Sequence, residues 1–230
     1  MEHGLLLYLR HLSPSHSLVW HTTVSLSILA ACCTRFNTLM KVGDGPMPLF
    51  ITDLANTTIA RIEHRMRQGQ ASESGFLAPD ESLVEVIRRD EGTLADLGLV
   101  AEQVAERLSN ILDAARAFYE QRHHVPPGGI PVAPHYRVFG FDIIVKGIQA
   151  CPFEDDEGRR CQGHRASIRA GAQDYVVIND ATNTTLGFPY LALHLIRDHH
   201  FFEGSVECRV DPLLAARTLD LLGGGTRHRL

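Results

Sequence analysis

Between Val125 and Pro134 the chain reads VPPGGIPVAP, four prolines and two glycines in ten residues. Proline lacks a backbone N–H and breaks a helix interior, and it is excluded from inner strands. This stretch therefore divides the sequence. On its N-terminal side, apolar residues recur at helical spacing. On its C-terminal side, β-branched and aromatic residues gather into short runs that read as strands. The chain is accordingly expected to be α+β. A helical region over 48–124 leads through a Pro/Gly linker, 125–134, into a small β-hairpin/helix module over 135–222, with a flexible tail at 223–230.

The helical half has three candidate segments. In ITDLANTTIARIEHRMRQG, Leu54, Ile59, Ile62 and Met66 fall on one face. In DESLVEVIRRDEG the face is Leu83, Val84, Val86 and Ile87. Thr93 and Asp96 match the [ST]-x-x-[DE] capping signature and predict a helix start there. The longest pattern follows, with Val100, Val104, Leu108, Ile111, Leu112, Ala115 and Phe118 on one stripe. The last two segments have the order of a helix-turn-helix, so a DNA-binding regulator is one alternative reading. Charge weighs against it. Residues 50–122 carry 8 Arg and 13 Asp+Glu, and the whole chain is −5. An acidic surface does not track phosphates, so nucleic acid is not the expected partner. A protein partner or a homodimer through the helical region is expected instead.

Residues 1–47 are expected to be a poorly ordered or signal-like extension. Leu29-Ala30-Ala31-Cys32 is similar to the lipobox of bacterial lipoproteins, which gives the alternative of a membrane anchor through Cys32. The polar residues His21, Thr22 and Thr23 interrupt the apolar run, and a cytoplasmic protein is the primary expectation. The five cysteines are an odd and scattered set, a poor disulfide framework but a usable supply of thiols in a reducing compartment.

The C-terminal half holds the chemistry. YRVFGFDIIVKGIQA reads as a strand running into Cys151; EDDEGRR is a polar loop before Cys161; DYVVIN and TTLGF form a hairpin; LALHLIRDHHFF is a helix expected to end at Gly204. Asp211-Pro212 is a cap-and-first-turn start for a last helix. Thiolate sulfur and neutral imidazole nitrogen are the donors that tetrahedral zinc selects. Cys151, Cys161, His194 and His199 are the expected ligands of a structural zinc ion. His164, His200 and Cys208 are alternative donors.

The order of Cys, Cys and a helix bearing His-x4-His resembles Cys2His2 zinc fingers. It departs from them in spacing. Nine residues separate the cysteines and 32 separate Cys161 from His194, against about two to four and about a dozen in the fingers. Residues five apart also differ by roughly 140° on an ideal helix, so both histidines reach one ion only where the helix ends. The resemblance implies a metal that pins the Cys-bearing loop to the helix. Four protein donors leave no position for water, and no His-Glu-x-x-His, P-loop or Gly-x-Ser-x-Gly motif is present. The expected function is therefore a non-enzymatic binding or regulatory protein. A zinc-dependent hydrolase using Glu203 is the other alternative, and Asp198 or Glu203 is expected as a hydrogen-bond partner of a ligating imidazole or as a solvated surface charge.

Overall fold

The computed structural model describes residues 51–141, 150–161 and 173–222. The Leu29–Cys32 signature, His164 and the 223–230 tail lie outside the described residues. A 3-10 turn, Ile51–Asp53, precedes α1, Asn56–Met66. Then come α2, Leu83–Asp96, and α3, Ala101–Arg122. Four strands and two more helices follow: β1, Ile130–Val132; β2, Tyr136–Phe139; β3, Asp174–Asn179; β4, Thr184–Pro189; α4, Tyr190–His199; and α5, Pro212–Thr218. The class is α+β, with five helices and one antiparallel four-stranded sheet among the described residues.

The sheet is a meander in the order β1-β2-β3-β4. Its first strand lies inside the proline/glycine segment. Pro131 is tolerated because β1 is an edge strand among the described residues, paired with β2, where Pro131 stands opposite Arg137. Ile130 and Val132 flank it and are buried. Gly140 ends β2 where only glycine fits: φ is 110°, and a Cβ there would lie 2.1 Å from the Asp174 carbonyl oxygen.

Two expectations about helix ends are corrected. Thr93 and Asp96 do not start a helix; they lie in the last turn of α2, where the Thr93 hydroxyl donates to the Arg89 carbonyl at 3.0 Å. The start signal for α3 is instead the Val100 N–H, donated to the Gln103 side chain at 2.9 Å. Val100 is consequently exposed rather than part of the apolar stripe. Helix α4 ends at His199, before Gly204. His200 takes the left-handed conformation, φ 53°, and its N–H and that of Phe201 close the last turn onto Ile196 and Leu195. Asp211 caps α5 as expected, accepting from Leu214 N at 2.7 Å.

Buried side chains form two clusters that meet on α4. The first packs the stripe of α3 (Val104, Leu108, Ile111, Leu112 and Ala115) against Tyr136, Val138, Tyr175, Val177, Leu186 and Phe188 of the sheet. The second joins Ile62 and Met66 of α1 to Val86 and Ile87 of α2 and to Cys151 and Phe153. On α4, Ala192 and Ile196 face the first cluster, while Leu191 and Leu195 face the second. Each pair is spaced four apart, so two neighbouring stripes of one helix serve two cores.

Candidate metal centre

The segment 151–161 folds into a small hairpin. Glu154 and Arg160 form an antiparallel bridge, Cys161 N donates to the Phe153 carbonyl at 3.0 Å, and Gly158 N donates to the Asp155 carbonyl at 3.0 Å. The Asp155 carboxylate accepts from the N–H groups of Glu157 and Arg159 at 3.0 and 2.9 Å, which fixes the turn. Folding back on itself, the hairpin brings Cys151 and Cys161 together despite the nine residues between them.

Helix α4 supplies the other half. His194 and His199 would diverge on a continuing helix, but His199 is its last residue. The two imidazoles stand edge to face, centroids 5.0 Å apart and planes at 90°. One donor atom from each of Cys151, Cys161, His194 and His199 lies within 4.8 Å of every other. Cys151 Sγ is 3.4 Å from His199 Nε2, and Cys161 Sγ is 3.3 Å from His194 Nε2. With Zn–S near 2.3 Å and Zn–N near 2.05 Å, adjacent sulfur and nitrogen atoms of a tetrahedral site stand about 3.5 Å apart. The four side chains form a group able to hold a metal ion, and three of them, Cys151, His194 and His199, are buried.

The imidazoles are oriented from behind. His194 Nδ1 is 2.5 Å from the Asp198 carboxylate, one helical turn on, which leaves Nε2 facing the thiols. Arg197 donates to the same carboxylate at 2.8 Å. His199 stacks on Phe153, with ring centroids 3.9 Å apart and planes at 4°. Phe153 therefore belongs both to the hairpin and to the core beneath it.

Burial and neighbouring groups set the charge of each donor. Burial, and then the neighbouring Cys161, push the Cys151 thiol far above its ordinary range. Burial works against charge on His194, but hydrogen bonds to Asp198 and Cys161 outweigh it and raise its pKa to about 9. Burial likewise opposes charge on Asp198, yet His194 and Arg197 hold its carboxyl well below the usual range. A dication beside the sulfurs reverses the cost of the thiolates and takes the imidazole nitrogens as neutral donors.

The alternative donors in the described residues lie elsewhere. His200 turns its two ring nitrogens to Glu91 and Glu102, at 2.7 and 2.9 Å. Cys208 is half-buried, and its thiol is pushed up to about 12 by burial and by Glu203, Asp174 and Glu207. Glu203 is buried outside the four-residue group, with Arg209 and Asp174 as its charged neighbours and its Oε2 without a hydrogen-bond partner.

Sequence reading did not find the supports of the hairpin on α1. Arg61 and Arg65, spaced four apart, hold Glu154 at 2.8 and 2.5 Å. The only local signal was that spacing, and nothing in it named an acid 89 residues away. No helix among the described residues is long and apolar enough to cross a membrane. No protein-family profile, curated protein or solved structure matches this chain.

Proposed function

We propose that Cys151, Cys161, His194 and His199 hold one zinc ion with a structural role, in a non-enzymatic protein that works by binding or regulation. The observation that carries the reading is the mutual approach of four donors within 4.8 Å, two sulfurs and two nitrogens. That donor set selects zinc, and four protein ligands close its shell. Two thiolates also balance a dication, so a neutral group is buried in place of isolated charges. Each residue then has a defined task. Cys151 and Cys161 fix the two limbs of the hairpin; His194 and His199 fix the end of α4; Asp198 keeps the Nδ1 proton of His194 directed away from the ion.

No observation favours a hydrolase. Glu203 has Arg209 and Asp174 as its charged neighbours and stands outside the donor group. Nor does α3 favour a nucleic-acid partner. Its apolar stripe is used inside the molecule, and Glu102, Glu106, Asp113 and Glu120 lie on its exposed side. A protein partner or second copy docking on this helix meets an acidic surface.

Elemental analysis of the full chain, purified without a metal-affinity tag, tests the reading. One equivalent of zinc is expected, and cobalt(II) substitution should give the intense visible absorption of a tetrahedral thiolate-imidazole site. A folded protein that carries no metal and binds no cobalt would overturn it. Zinc affinity should weaken as pH falls, because protons compete for the thiolates and imidazoles.

A further inference from the structure

We propose that metal occupancy controls the docking of α1, through the hairpin that carries both thiols. This inference rests on the zinc reading and adds a regulatory consequence to it.

Helix α1 is a poor independent element. It has 11 residues, and its cap residue Ala55 offers no side-chain hydrogen bond. Isolated helices shorter than about 12–15 residues are marginal in water, so α1 depends on what it packs against. Ile62 and Met66 enter the second core beside Cys151 and Phe153. Glu63 accepts from Leu83 N of α2 at 2.7 Å, but four polar ties of α1 lead to the hairpin. Arg61 Nε meets Glu154 at 2.8 Å, Arg65 Nη1 meets Glu154 at 2.5 Å, Arg65 Nε donates to the Pro152 carbonyl at 3.1 Å, and Ala55 N donates to the Asp156 carboxylate at 3.0 Å.

Pro152, Glu154 and Asp156 all lie between Cys151 and Cys161. Any ion bound by the two thiols fixes both ends of the short segment on which α1 is tied. Glu154 is itself buried. A buried carboxylate needs its partners in place, and its partners need the hairpin in place. Phe153 repeats the linkage in apolar form, stacked on His199 on one side and placed in the core of α1 on the other. Removing the ion releases the thiols, frees the hairpin from α4, and takes from α1 its ties to Pro152, Glu154 and Asp156 together with the core surface of Cys151 and Phe153. The sheet-side core has no member in 151–161 and is spared. The outcome is local opening of one cooperative unit rather than global unfolding.

Hydrogen exchange read by mass spectrometry on the full chain tests this, with zinc content measured on every sample. In the zinc-loaded protein α1 should be protected. Chelation should speed exchange over 56–66 and 151–161 by about tenfold or more, while β3 and β4 stay protected. Glu154→Gln should retain one zinc equivalent and still speed exchange over 56–66. Confirmed zinc removal with unchanged exchange over 56–66 would overturn the coupling but leave the metal reading intact. So would equal opening of α1 and the sheet on chelation, or a zinc-loaded Glu154→Gln with α1 as protected as wild type. A protein that never carried metal would overturn the metal reading itself, and this inference with it.

Discussion

Among the described residues, the sheet-side core gathers 25 buried residues and the metal-side core 13. The first is built as most small domains are, with one long helix laid on a hydrogen-bonded sheet. The second has no sheet beneath it among the described residues. It is made from two helices, a short hairpin and one face of α4, and the hairpin has two cysteines where the sheet side has β-branched residues. Apolar burial scales with size, so a small core holds less stability in reserve and needs a cross-link. The four side chains able to hold a metal ion stand where that cross-link is needed, with Cys151 a member of the smaller core and His194 and His199 on the helix both cores share.

Substitution at the cluster gives the largest expected effect. Cys151→Ser should lower zinc content from one equivalent to near zero. Structural zinc can contribute on the order of 10 kcal/mol to folding, so the metal-side helices should lose most of their protection. The strands β3 and β4 should keep theirs. Equal loss on both sides would end the distinction between the two cores.

The converse substitution is Leu108→Ala, on the sheet side. Leu108 is fully buried under the sheet, and removing its side chain should cost about 2–5 kcal/mol of global stability. Denaturant melts should show the loss, while zinc content stays at one equivalent. A fall in zinc content would mean that the sheet also positions the donors.

The two regions were unequally legible in the sequence. The stripe of α3 and the β3–β4 hairpin follow from periodicity, because each is local and packs one face. On the metal side, side-chain chemistry and order singled out the four residues that the structure gathers. What joins them was not legible. The nine-residue gap is closed by a hairpin whose turn depends on Asp155, and α1 is tied to Glu154 by arginines that sequence spacing alone reads as solvated surface. The Thr93–Asp96 signature failed for a related reason: α2 continues through it, because Gly98, at φ 69°, supplies the helix end.

Glu203 probes the seam between the cores. Phe201 belongs to the metal side and Phe202 to the sheet side, and Glu203 follows them with φ 66° and a buried carboxyl. Burial raises its pKa to about 8 from an ordinary 4.5, against the pull of Arg209 and with the help of Asp174. Between those two values the native state keeps a proton that the unfolded chain has lost. Its contribution to stability is therefore present below pH 4.5, and is lost as pH rises through about 8. Glu203→Gln should abolish that slope and stabilise the protein at pH 7, by an amount on the order of a few kcal/mol. Urea melts of both proteins across this range, compared as a difference, check it. An unchanged slope would mean the carboxyl ionises normally in the folded state.

The smallest effect tests how finely the metal side is held. Asp198 binds no ion in the proposed site; it holds His194 Nδ1 at 2.5 Å and so presents Nε2 to the sulfurs. Asp198→Asn keeps the size of the side chain and an acceptor oxygen, but loses the negative charge that strengthens the imidazole as a donor. Outer partners of metal-bound histidine are typically worth about 10–100-fold in affinity, or about 1.4–2.7 kcal/mol. Competition against a chromophoric chelator should show a weakening of that size, with one zinc equivalent still bound at saturation and helix content unchanged. Unaltered affinity would place the orienting force in the packing of α4 and in the Phe153 stack instead, making the smaller core more self-sufficient than its size implies.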